Sequence, residues 1–158
     1  RNKLWHFKAA EGIVGPIVSD GTSVFAASKD TNLYNIDRGT GRMKWKYQTA
    51  GILDKSPRVT ADVVYQYVKN HGMIAIDKFS GDQIWHLPTG MDLLAEVKDR
   101  AYIFTSDHKI AVMDNTKARP LYFMNCSLVN RYAVNMLDSK IYLADRTGRV
   151  ICIKPMEW

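Results

Sequence analysis

The stretch Leu33-Tyr34-Asn35-Ile36-Asp37-Arg38-Gly39-Thr40-Gly41-Arg42-Met43-Lys44-Trp45 returns forty residues later as Met73-Ile74-Ala75-Ile76-Asp77-Lys78-Phe79-Ser80-Gly81-Asp82-Gln83-Ile84-Trp85. Ile36 answers to Ile76, Asp37 to Asp77, Thr40 to Ser80, Gly41 to Gly81 and Trp45 to Trp85, all at one spacing. A third, worn copy runs from Ile110 to Tyr122 and keeps the aspartate as Asp114. There the glycine has become Ala118 and the tryptophan Tyr122. Both ends carry partial copies. Leu4-Trp5-His6-Phe7 matches Ile84-Trp85-His86-Leu87, and Val150-Ile151-Cys152-Ile153 matches the residues before Asp37.

A period near forty residues belongs to propellers, solenoids or helical arrays. Helical repeats need runs of ten or more residues with 3.6 periodicity. This chain offers short runs rich in β-branched and aromatic residues instead, such as Ser23–Ala27 and Val63–Val68, separated by Asp-Gly and Thr-Gly turns. The fold class expected is therefore all-β, a β-propeller built of four-stranded antiparallel blades, about four of them in this chain.

The whole chain, 1–158, reads as one propeller segment with blades at about 13–48, 55–87, 93–124 and 133–153 and an additional N-terminal strand at 3–8. The first blade takes strands at 14–19, 23–28, 32–37 and 43–48. The second takes 56–60, 62–68, 72–77 and 83–87, and the third 93–97, 100–105, 109–113 and 120–124. The fourth takes 133–137, 140–144 and 149–153 and lacks an outer strand, whereas the N-terminus carries a spare one. Three arrangements satisfy that complementarity: a stretch of a larger ring, a half-ring completed by a second copy, and four blades closed on themselves. The first is preferred. Trp158 and the residues before it have no assigned place.

The repeated residues have physical roles. Gly41 and Gly81 follow a strand where the backbone must turn left-handed. Asp37, Asp77 and Asp114 are placed to accept hydrogen bonds from the amides of their turns, and from Thr40 or Ser80. Trp5, Trp45 and Trp85, on outer strands, each bury on the order of 200 Å² against a neighbouring blade. These ten residues (Trp5, Asp37, Thr40, Gly41, Trp45, Asp77, Ser80, Gly81, Trp85 and Asp114) form the structural repeat.

Ala75-Ile76-Asp77 with Ser80-Gly81 and Trp85, and Asn35-Ile36-Asp37 with Thr40-Gly41 and Trp45, resemble the repeat of the pyrroloquinoline-quinone (PQQ)-like β-propeller superfamily. That superfamily includes quinoprotein dehydrogenases, the periplasmic scaffold lipoprotein of outer-membrane protein assembly, and sensor domains. The resemblance is nearer the non-enzymatic scaffold members. It implies an extracytoplasmic location, periplasmic or secreted. A dehydrogenase would require PQQ on the axis, a calcium ion held by oxygen ligands and an aspartate base. Glu96 and Asn135, expected on innermost strands, are too few to supply them. No cofactor and no metal is therefore expected, with PQQ and calcium as the alternative.

The composition fits a soluble globular chain: 46% hydrophobic and 24% charged residues, with a net charge of +6. The positive charge is scattered rather than gathered into an arm, which argues against nucleic acid. No run approaches the roughly twenty apolar residues of a membrane span. Cys126 and Cys152 read as small buried hydrophobes, with a bridge between them not favoured. His6 and His86 follow blade tryptophans, and His71 and His108 lie in turns, so no metal site is expected from them. No catalytic motif occurs.

One turn surface collects Asp20, Asp62, Asp99 and Asp138. The opposite one collects Lys29, Lys55, Lys69, His71, His108, Lys109, Arg131 and Arg146, with the apolar pairs Ile52-Leu53, Leu93-Leu94 and Leu128-Val129. Apolar residues rimmed by basic ones fit a protein-docking surface. The expected function is a non-catalytic binding scaffold whose partner is another protein, the remainder of the propeller or a second copy. A quinoprotein fragment and a sensing or adhesion domain are the alternatives.

Overall fold

The computed structural model describes residues 2–155, so Trp158 lies outside the described residues. Fifteen strands are present: β1 (Val18–Ser19), β2 (Ser23–Ala27), β3 (Asn32–Asp37), β4 (Met43–Gln48), β5 (Arg58–Val59), β6 (Val63–Val68), β7 (Gly72–Asp77), β8 (Gln83–Leu87), β9 (Gly90–Val97), β10 (Arg100–Thr105), β11 (Lys109–Asp114), β12 (Arg119–Asn125), β13 (Val129–Ala133), β14 (Ile141–Asp145) and β15 (Val150–Ile153). They form meanders in chain order: three four-stranded sheets, β1–β4, β5–β8 and β9–β12, and a three-stranded sheet, β13–β15. The fold is all-β, a propeller segment of about four blades. Among the described residues no helix is long and apolar enough to cross a membrane.

The chain divides between His86 and Leu87 into two compact units. In the first, Phe25, Leu33 and Trp45 of one sheet pack with Val64, Val68, Ile74 and Ile76 of the next. In the second, Leu94, Ala95, Tyr102, Ile110 and Val112 pack with Val129, Ile141 and Leu143. Residues that alternate along each strand supply these cores, because successive side chains point to opposite faces.

The innermost strands of the first two sheets are shorter than the sequence suggests, whereas that of the third, Gly90–Val97, is longer. Of 14–19 only Val18–Ser19 pairs, besides an isolated bridge from Ile13 to Ser28, and of 56–60 only Arg58–Val59 pairs. Pro16 and Pro57 have no amide to give a ladder. Gly15 also lies so close to Lys55 and Ser56 that a β-carbon there would stand 2.9 Å from their backbone.

Two further expectations are corrected. Residues 3–8 form no ladder strand. They are held by side chains: the Trp5 indole donates to the Arg38 carbonyl (2.9 Å), and Phe7 meets Tyr34 edge-on at 5.0 Å. The first strand of the last sheet is Val129–Ala133, not 133–137. Asn135 folds the following residues into a turn, its amide donating to the Asp138 carboxylate and to the Lys140 carbonyl (2.8 Å).

Candidate functional site

The turn after the third strand of each four-stranded sheet is built the same way. The Asp37 carboxylate accepts the amides of Gly39 (3.1 Å) and Thr40 (2.8 Å) and the Thr40 hydroxyl (2.9 Å). Asp77 accepts Phe79 (2.9 Å) and Ser80 (2.8 Å), and Asp114 accepts Thr116 (3.0 Å) and Lys117 (2.8 Å). The Thr40 amide above all holds Asp37 below the usual carboxylate range, and the Ser80 amide does the same for Asp77. Hydrogen bonds to the charged form favour it.

Gly41 and Gly81 end these turns at φ of 72° and 81°. A β-carbon on Gly41 would stand 2.7 Å from the Trp5 ring, and one on Gly81 2.8 Å from the Trp45 ring. The indole of Trp45 donates to the Lys78 carbonyl (2.9 Å), which also accepts the Asn35 amide (3.3 Å). Lys78 itself reaches Asp20 (3.3 Å) and the Thr60 carbonyl (3.1 Å). Trp85 is buried and inclined to Tyr65 at 5.7 Å. Trp45, Asn35 and Lys78 thus form an interlock between the first two sheets.

The residues singled out for partner binding separate into core and surface. Leu53, Leu93 and Leu94 are fully buried, and Leu93 and Leu94 lie within β9 rather than in a loop. They belong to the core, not to a docking surface. Ile52 is 43% exposed and Leu128 is 68% exposed, whereas Val129 is buried. In the first unit Lys69 pairs with Asp54 (3.7 Å), and the His71 carbonyl meets His86 Nε2 at 2.5 Å. Lys29 is exposed. In the second unit Lys109 pairs with Asp107 (2.7 Å), and Arg131 bonds the neighbouring Asn130 carbonyl (2.8 Å).

The second unit contains two clefts that share Leu128 in their linings. One, of about 290 Å³, is lined by His108, Ser127, Asn130, Arg146 and Thr147. The other, of about 450 Å³, is lined by Cys126, Leu143, Ile151 and Ile153 among others. Asp145 borders both, but its oxygens are already committed to the Thr147 hydroxyl (2.7 Å), the Thr147 amide (2.8 Å) and the Arg149 guanidinium (2.7 Å). These partners, the Thr147 hydroxyl first, hold its carboxyl far below the usual range. Among the described residues no carboxylate pairs with Arg146. The sequence places Leu128, His108 and Arg146 on one turn surface, but the clefts themselves depend on how those turns pack together.

Asn135 spends its amide in the turn described above, and among the described residues no three His, Cys, Asp or Glu side chains converge. Both cysteines are free thiols. Cys152 is exposed rather than buried, and burial pushes the Cys126 thiol up.

A sequence profile of the family described as outer membrane protein assembly factor BamB matches residues 1–152. No curated protein matches the chain. Among solved structures, BamB from Moraxella catarrhalis is similar over 95% of this chain and 49% of its own, at 21% identity and a TM-score of 0.74. The computationally designed Ika4 protein is similar over 97% of this chain and 98% of its own, at 15% identity and a TM-score of 0.72. The designed Ika8 protein is similar over 89% and 45%, at 16% identity and a TM-score of 0.66. At these identities the structural likeness is one of fold. The chain spans about half the length of the Moraxella protein.

Proposed function

Since this chain belongs to the BamB family of PQQ-like repeat propellers, we propose that it is a non-catalytic scaffold that binds another protein in outer-membrane protein assembly, outside the cytoplasm. The repeat residues support this reading by what they do: Asp37, Asp77 and Asp114 hold turns, and Trp5 and Trp45 hold neighbouring strands, so the conspicuous chemistry of the sequence is structural. The observation that carries the proposal is the surface around Leu128. A leucine 68% exposed that lines two clefts, with Arg146 and His108 in one of them, has the composition of a docking patch: an apolar centre rimmed by basic residues.

The test is recovery of outer-membrane assembly components from a periplasmic extract by the immobilised chain, against the double variant Leu128→Lys, Arg146→Glu. Both residues are exposed, so the variant keeps its fold. Recovery falls at least tenfold if this surface docks the partner, since central contacts dominate interface energetics. Unchanged recovery with an unchanged melting temperature refutes the assignment of the surface. Lys69 and Lys109 are poorer probes, because each is already paired with an aspartate of its own unit.

A further inference from the structure

The docking reading leaves the chemistry of the partner open, and the two clefts beside Leu128 define it. They differ in character. The smaller one gathers hydrogen-bond donors: the guanidinium of Arg146, the ring of His108, the hydroxyl of Ser127 and the amide of Asn130. Asp145 also lines it, but its oxygens are engaged by Thr147, whose hydroxyl is spent there, and by Arg149, and it forms no ion pair with Arg146. A planar guanidinium with free donors matches a carboxylate in a two-pronged arrangement. The larger cleft has an apolar wall of Leu143, Ile151 and Ile153, which suits an aliphatic side chain, and its charged lining residues Asp145 and Arg149 are paired with each other. Leu128 lines both clefts, an exposed ridge they share.

Resting on the scaffold reading, we propose that the second unit binds an extended acidic segment of its partner. One carboxylate enters the cleft at Arg146 and His108, and a neighbouring apolar side chain enters the cleft across Leu128. Successive side chains of an extended segment project to opposite sides, which suits two clefts separated by a single ridge. Charge complementarity supplies orientation and encounter rate, and the apolar contact supplies retention.

The experiment titrates the isotope-labelled full chain with a hexapeptide of alternating glutamate and leucine, and separately with its glutamine counterpart, following backbone amide resonances. Saturable shifts at residues 127–130 and 145–148 are expected. Affinity falls at least tenfold for the glutamine peptide and for the Arg146→Glu variant, and the glutamate peptide weakens as salt is raised. Equal affinity for the two peptides, shifts confined to other residues, or no saturation at millimolar peptide overturns the proposal. Loss of assembly components in the Arg146→Glu variant without any peptide binding refutes the acidic segment alone. Peptide binding as expected with unchanged recovery of those components refutes the assembly role alone.

Discussion

Replacing Gly81 by alanine tests the interlock at its tightest point. The residue sits at φ of 81°, and the added methyl would stand 2.8 Å from Trp45 Cγ and 2.9 Å from Cδ2. Left-handed backbone costs an alanine about 1–2 kcal/mol, offset by up to about 1 kcal/mol from a stiffer unfolded chain. Overpacking against a buried ring adds about 1–3 kcal/mol. Displacing the ring also breaks the indole hydrogen bond to the Lys78 carbonyl, worth about 1 kcal/mol. The sum is about 2–6 kcal/mol, a fall of about 1–3 M in the urea midpoint at a slope near 2 kcal/mol/M. Two comparisons isolate the cause. Gly39→Ala places its methyl at an ordinary 3.5 Å from Asp37 Oδ1 and changes stability by less than about 0.5 kcal/mol. Ala118 already holds a methyl at φ of 52°, so left-handed backbone alone is tolerated. The assay is urea unfolding followed by tryptophan fluorescence. A Gly81→Ala midpoint no lower than that of Gly39→Ala would falsify the reasoning.

Adjacent residues separate core from surface: Leu53→Ala, at a fully buried position, lowers stability by about 2–5 kcal/mol, whereas Ile52→Ser, at a partly exposed one, changes it by less than about 1 kcal/mol, both read from urea midpoints. The turn aspartates make the protein sensitive to acid. Asp37 and Asp77 have lowered pKa values in the fold, so their contribution is complete above the unfolded value near 4 and is lost as pH falls through the folded values. Melting temperature measured by calorimetry is therefore level from about pH 5 to 7 and drops below about pH 4, with a shallower drop in Asp77→Asn.

The propeller was legible because its defining residues are local. An aspartate, a glycine four positions on, and a tryptophan four residues beyond the glycine lie on one turn and one strand, and each acts through geometry its neighbours fix. The third strands, Asn32–Asp37 and Gly72–Asp77, likewise match their expected limits because turn residues bound both runs. The innermost strands were less legible. Whether Pro16 or Pro57 belongs to a ladder depends on which backbone runs alongside, and that is a tertiary fact. The last sheet misled for a related reason: Ala133-Val134-Asn135-Met136-Leu137 has the composition of a strand, yet the Asn135 amide finds partners in a turn and leaves Leu137 almost wholly exposed. The docking candidates split on the same ground. Composition alone does not distinguish Leu53, which faces the core, from Leu128, which faces water, although both were chosen as apolar residues between blades.

The tryptophans meet their neighbours through main-chain carbonyls, those of Arg38 and Lys78. Every residue type carries a carbonyl, so the indole's own bond makes no demand on the side chain at either position. Arginine and lysine stand there now, and a substitution would leave the acceptor in place, although at Lys78 it would lose the contacts to Asp20 and Thr60. What the indole joint itself requires is a tryptophan to give and a glycine to receive. Repeats that meet those two conditions are interchangeable at their joints, and a gene encoding them can gain or lose one by duplication or deletion without inventing a new interface. The lock constrains the number of blades less than it constrains the design of each.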